Sequence, residues 1–174
     1  MQKTVRKEKM KIVERPTNLR DTLEWLKAQG DLIETDKPVD PDLEVTGLQK
    51  HLDGSCPVLF NKVKGKPNHR VITNLFGDMN VINKMFGWAN DVERTRKLAY
   101  ALSHPIKPVE ILQSVAPCQE VVIENPKDVN EHLVPIRHTT YEPELTVGSG
   151  IRCVTGEHFD GGSDLGYNRM NFRW

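Results

Sequence analysis

The chain has 174 residues, 24 basic and 24 acidic side chains, a formal net charge of zero, and 37% hydrophobic against 28% charged residues. That balance is too apolar for a disordered chain, and it lacks the basic surplus of a protein built to hold nucleic acid. No run approaches the roughly 18 apolar residues of a membrane span, and the basic opening Met1–Lys11 has no apolar centre for a secretory signal. What remains is a globular chain of one domain or slightly more, large enough for a real core. Its three distant cysteines, Cys56, Cys118 and Cys153, fit reduced thiols in a cytoplasmic protein.

Residues 1–15 carry Lys3, Arg6, Lys7, Lys9, Lys11 and Arg15 against Glu8 and Glu14. They read as a solvated basic tail, with an anion-binding arm as the alternative. A helix follows: Asn18 can cap it, Asp21 suits the positive end of its dipole, and Leu19, Leu23 and Leu26 recur at helical spacing up to Gly30. Leu32–Thr35 reads as a short strand. The proline-punctuated loop 36–42 then ends at Asp42, which is placed to cap a helix over 43–52. Val58–Phe60 and Val71–Leu75 have strand length and composition. Met79, Ile82, Met85 and Phe86 space as a helix ending at Gly87, and another runs from about Asp91 with Val92, Leu98 and Leu102 expected inward, stopping before Pro105.

The texture changes near residue 104. Prolines 105, 108, 117, 126 and 135 punctuate a stretch in which only Glu120–Ile123 resembles a strand, and Gly150–Val154 and Leu165–Trp174 then read as β segments joined by a turn-rich loop. The expected fold class is mixed α/β (α+β), with a unit over 16–110 and a β-dominated unit over 111–174. In the last segment Gly166, Asn168, Met170, Phe172 and Trp174 share one face, and Tyr167, Arg169, Asn171 and Arg173 the other. So strong a strand, ending without a turn, leads to the expectation that the chain continues in a longer parent protein.

Chemistry-bearing residues gather around the same place. Glu157, His158, Asp160 and Asp164 lie within eight residues, where oxygen ligands suit Mg²⁺ or Mn²⁺, although a hairpin loop needs the same residue types. Arg169 and Arg173 could grip phosphate or carboxylate in bidentate fashion, or simply pair with surface acids. Cys118 reads as a packed cysteine, and His104 and His138 as structural or solvated. Dinucleotide, P-loop, nucleophile-elbow and zincin motifs are all absent.

Taken in order, several segments resemble the UbiD-like family of prenylated-flavin-dependent decarboxylases. They are Leu19-Arg-Asp-Thr-Leu-Glu-Trp-Leu26, Gly30-Asp-Leu-Ile33, Lys37-Pro-Val-Asp-Pro-Asp-Leu-Glu44, Phe60-Asn-Lys-Val-Lys-Gly65, Asn74-Leu-Phe-Gly77, His104-Pro105, Ala116-Pro-Cys-Gln-Glu-Val-Val122 and Asp164-Leu-Gly-Tyr-Asn-Arg-Met170. The resemblance implies the N-terminal portion of such an enzyme, with 111–174 beginning a split β-barrel that holds prenylated FMN through Mn²⁺ (or Mg²⁺), often with K⁺. It also implies decarboxylation or carboxylation of a small aromatic or α,β-unsaturated carboxylic acid with CO₂, and a homo-oligomer. A non-catalytic short subunit docked on a separate catalytic chain is the alternative. By the same resemblance Arg169 matches the arginine that contacts the cofactor and joins the catalytic acid network. Tyr167 and Asn168 match the strand positions along the flavin, and Asp164 stands where the family has a metal-ligating asparagine. A carboxylate is a harder, charged ligand, so metal binding survives the exchange. Strict alternation puts Asp164 and Arg169 on opposite faces, so both can serve one site only if the strand begins beyond Asp164 or bulges near Gly166. The family's remaining ligands and its proton-donating glutamate are expected beyond Trp174.

Overall fold

Asn18 opens the first helix as expected: its Oδ1 accepts from the Asp21 backbone N–H at 2.9 Å, ahead of α1 (Leu19–Gln29). Gly30, at φ 74°, closes α1 in the left-handed region, and Asp31 N–H reaches back to Leu26 O at 2.9 Å. In this computed structural model the described residues are 15–53, 55–107, 109, 111–155 and 163–171, with backbone alone for 149–155 and 163–165. The tail over 1–14, the loop residues Glu157, His158 and Asp160, and the terminal Phe172, Arg173 and Trp174 lie outside them.

The chain continues through β1 (Ile33–Thr35), α2 (Glu44–His51), β2 (Val58–Phe60) and β3 (Val71–Thr73). These strands make one sheet in the order β1-β2-β3, parallel between β1 and β2 (Ile33↔Val58) and antiparallel between β2 and β3 (Val58↔Thr73). The central β2 is buried along its whole length, as its unbroken Val-Leu-Phe composition requires. One core cluster joins Val39, Val45, Val58, Phe60, Val63 and Val71, with Leu52, Val134 and Ile136 packed against it. A second joins Trp25 and Leu26 of α1 to Val81 and Met85 of α3 (Met79–Phe86), with Leu32 and Leu75 at its edge. The helices therefore lie on a small mixed sheet, and the α+β class stands.

Three expectations are corrected. Asp42 does not cap α2. Residue 43 takes φ 72°, a left-handed value unusual for leucine, and lets Glu44 N–H bond Asp42 O at 3.0 Å. No side chain caps α2: the Asp40 carbonyl accepts from Val45 N–H, its carboxylate from Asp42 N–H, and its own N–H donates to Glu44 Oε2 at 2.7 Å. Asp42 is thereby released to face Arg137.

Nor are the apolar residues of α4 (Asp91–Ser103) inward. Asn90 caps this helix and Ser103 ends it before Pro105, but none of its residues is buried and Leu102 is 86% exposed. α4 is tied to α3 by polar bonds, with Asn83 Nδ2 donating to Asp91 Oδ1 at 2.8 Å and Arg94 donating to both partners. Periodicity says which residues share a face and not what covers that face. Finally, Glu120–Ile123 forms no strand. A 3₁₀ turn over Pro117–Gln119 precedes it, no strand pairs with it among the described residues, and Val121, Val122 and Ile123 are exposed. The same turn leaves Cys118 exposed rather than packed.

Residues 129–137 carry the chain back onto the first sheet. Lys66 Nζ donates to the Asn130 carbonyl, Arg137 N–H to Pro41 O at 3.1 Å, and Thr46 Oγ1 to Arg137 O at 3.3 Å. Ile136 then pairs with Thr146 through two bonds of 2.8 and 2.9 Å, which launches the long ribbon β4 (Thr146–Thr155) and β5 (Ser163–Asn171).

Candidate functional site

The ribbon carries all four residues predicted to form the site. β4 and β5 run antiparallel in step from Thr155↔Ser163 to Gly150↔Asn168, after which the register jumps so that Val147 faces Met170. Gly148 and Ser149 therefore stand opposite the single residue Arg169, the two-against-one count of a β-bulge. Neither condition for a shared face is met in β5: it begins ahead of Asp164 and carries no bulge near Gly166, the bulge being in β4. A reason is local: glycines flank Ser149, and the His138 ring lies beneath Gly148, where an added Cβ would meet His138 Nε2 at 3.5 Å. β5 begins at Ser163, ahead of Asp164, and its ladder is uninterrupted through Asn168, so positions 164 and 169 keep opposite parity.

Arg169 is 75% exposed, and Tyr167 is exposed as well. The Asn168 amide folds back along its own strand, Nδ2 donating to Gly166 O at 3.1 Å, a contact that the missing Cβ of Gly166 leaves room for. Arg169 borders an open cleft of about 580 Å³ lined by Glu142, Pro143, Glu144, Thr146 and Asn171. Thr146 Oγ1 donates to Asn171 Oδ1 at 3.2 Å across its floor. Met170, expected to seek a core, is 44% exposed on the ribbon.

Glu142 is the residue that sequence reasoning missed. Its Oε2 accepts from the His138 backbone N–H at 2.7 Å, its carbonyl from Arg137 Nη1 at 2.8 Å, and its Oε1 lies 4.0 Å from Arg169 Nη1. His138 Nδ1, a buried atom, lies 3.4 Å from the same carboxylate without hydrogen-bond alignment. Arg137 Nε meets Asp42 Oδ1 at 2.8 Å, again as an ion pair rather than an aligned hydrogen bond. The chain of contacts thus runs Asp42, Arg137, Glu142, Arg169. The available signal was the four-residue spacing of His138 and Glu142 around a turn, which has no meaning until the turn is known. His104 is structural as expected, stacked on Tyr100 at 4.0 Å between ring centroids.

The Glu142 carboxyl is held below the ordinary glutamate value of 4.5, chiefly by the His138 N–H, with the His138 charge adding and burial opposing. Asp91, through the Asn83 amide, and Asp128, through the Asn130 N–H, are lowered likewise. Lowered folded values mean stability present at neutral pH and lost as the pH falls through them. The thermal midpoint should therefore fall below about pH 4.5, where unfolded carboxyls begin to take up protons. Glu142→Gln should lower it at neutral pH and flatten part of that acid slope; an unchanged profile contradicts the hydrogen-bond assignment.

A second, wider hollow of about 840 Å³ lies along Leu112–Pro117 with Gln119 and Glu120, and holds none of the predicted residues. Among the described residues no three His, Cys, Asp or Glu side chains gather as a metal cluster, and no helix is long and apolar enough to cross a membrane.

Comparison with known proteins places this geometry. The chain is 29% identical over 177 aligned residues to the gallate decarboxylase of Lactiplantibacillus plantarum, covering 91% of this chain and 35% of that protein. To the phenolic acid decarboxylase of Sedimentibacter hydroxybenzoicus it is 30% identical, over 65% of this chain and 25% of the relative. It superposes with a TM-score of 0.78 and 27% identity on an evolved dimeric form of the UbiD-class enzyme HmfF from Pelotomaculum thermopropionicum in complex with prenylated FMN, over 86% of this chain and 34% of that one. The chain thus spans about a quarter to a third of the length of these relatives. Residues 23–102 match the 3-octaprenyl-4-hydroxybenzoate carboxy-lyase N-terminal domain, so the chain is similar in sequence and in fold to UbiD-class enzymes.

Proposed function

We propose that the chain supplies the Arg169-bearing portion of a carboxy-lyase that removes CO₂ from, or adds it to, a small phenolic or α,β-unsaturated acid on prenylated FMN. The observation that carries the reading is Arg169 itself, an exposed guanidinium on a β-ribbon, at the spacing from Asp164 that the family motif requires and with an acid fixed behind it. The donor set suits the flavin side of this assignment. Arg169 offers a planar, permanently charged fork, and Tyr167 and Asn168 offer the strand leading to it. For the divalent metal, Mn²⁺ or Mg²⁺ (with K⁺ as a second cation), Asp164 would be one oxygen ligand and the others would come from elsewhere.

When bound, prenylated FMN supplies the electron sink for loss of CO₂. This chain's part is to orient it and to set the local charge. Glu142 and Glu144 make the near wall of the cleft acidic, which suits a guanidinium and disfavours a bare phosphate. A cytoplasmic location and homo-oligomerisation belong to the same reading.

The test is to produce the whole carboxy-lyase of which this chain is proposed to be a portion, with a supply of prenylated FMN, and to measure CO₂ release from a panel of phenolic and unsaturated acids. The reading expects flavin to co-purify and CO₂ release to depend on it. Protein that retains no flavin and releases no CO₂ from any acid contradicts it. Division of the chain near residue 110 into an α/β unit and a barrel-forming unit is part of the same proposal.

A further inference from the structure

The bulge leaves Arg169 without a one-to-one neighbour across the ribbon, so the opposite strand does not fix its side chain. Glu142 is in the opposite condition. Its side chain is only 23% exposed, one carboxylate oxygen is taken by the His138 N–H, and its carbonyl is held by Arg137. Arg137 is in turn gripped by Asp42 and, through its own carbonyl, by Thr46. The remaining oxygen, Oε1, is the one turned toward Arg169. A carboxylate fixed on one side and open on the other orients a mobile cation, because only the cation loses rotamers when the pair closes.

We propose that Glu142 is the positioning residue for Arg169, and that the Asp42–Arg137 pair, by anchoring the Glu142 turn to the α/β sheet, sets where the guanidinium points. This deepens the reading of Arg169 as the flavin-contacting residue and rests on it. Glu142 touches neither cofactor nor substrate; it acts through Arg169. An exposed pair of this kind stabilises by about 1 kcal/mol or less, so the effect is on orientation and not on folding.

The test uses the 174-residue chain itself. Arginine Nε–Hε NMR signals are recorded for the parent, Glu142→Gln and Glu142→Asp, with Arg169→Lys identifying the Arg169 peak. The expected result is a parent Arg169 peak with an order parameter above about 0.6. In Glu142→Gln it falls below that value and Hε exchange with water quickens about threefold. Glu142→Asp, which keeps the charge but shortens the reach, lies between. Arg169 order and exchange unchanged in Glu142→Gln overturn the proposal. Should Glu142→Gln not fold, unchanged values in Glu142→Asp overturn it equally. A flavin-loaded enzyme whose rate ignores Arg169→Ala removes the flavin reading instead, and leaves the Glu142–Arg169 coupling visible in the same spectra.

Discussion

Replacing Arg169 with alanine should lower the rate of CO₂ release by about 10²- to 10³-fold, the cost of deleting one preorganised charged donor from an active site. Because the side chain is 75% exposed and Glu142 lies 4.0 Å from it, the thermal midpoint should hardly move. That separation of rate from stability is what distinguishes a cofactor contact from a surface ion pair. Arg169→Lys keeps the charge and loses the planar fork, so it should recover only a minor part of the rate. Stopped or steady-state CO₂ assays beside a melting curve decide the matter. An Arg169→Ala enzyme at the parent rate removes the residue from the mechanism.

The largest effect on stability is expected at Leu26. It is 0% exposed and packs with Trp25, Val81 and Met85, where α1 meets α3. Leu26→Ala should destabilise by about 2–5 kcal/mol, combining lost transfer energy with an unfilled cavity. Against a total of about 5–15 kcal/mol for a domain, that leaves little margin. Leu102→Ala, at an 86% exposed position on α4, should change stability by no more than about 0.5 kcal/mol. Urea midpoints for the two variants measure the contrast; equal shifts would mean that α4 is packed in solution.

These two leucines also show how far sequence carries the fold. Around α1 every level agreed: an asparagine cap, an apolar stripe, and a glycine in the left-handed region all mark the same helix. α4 has an equally clear start and stop, but its stripe has no partner among the described residues, and nothing in the spacing of Val92, Leu98 and Leu102 could reveal that. Asp42 failed for a different reason. Its composition suits a cap, but residue 43 takes a positive φ, no side chain caps α2, and Asp42 pairs with Arg137 instead. Glu120–Ile123 has strand composition without a strand beside it.

Tyr167, Asn168 and Arg169 lie on one strand, as the alternating pattern indicated, and Asp164, expected just ahead of that strand, lies on it too. Glu142 was not legible, because it reaches Arg169 through a turn and a neighbouring ladder that join residues 27 positions apart. The bulge was not legible: one near Gly166 was named only as a condition for a shared face, whereas the structure's bulge lies at Gly148-Ser-Gly150 on the facing strand. The outcome leaves Asp164 and Arg169 at opposite parity along β5, with Arg169 facing the bulge.

Crystallising the protein with prenylated FMN and Mn²⁺ would put the flavin on the map. The account predicts the cofactor lying along Tyr167–Arg169, with the Arg169 guanidinium within hydrogen-bond distance of it and its back turned to Glu142. Flavin seated elsewhere, with Arg169 in open solvent, would contradict it.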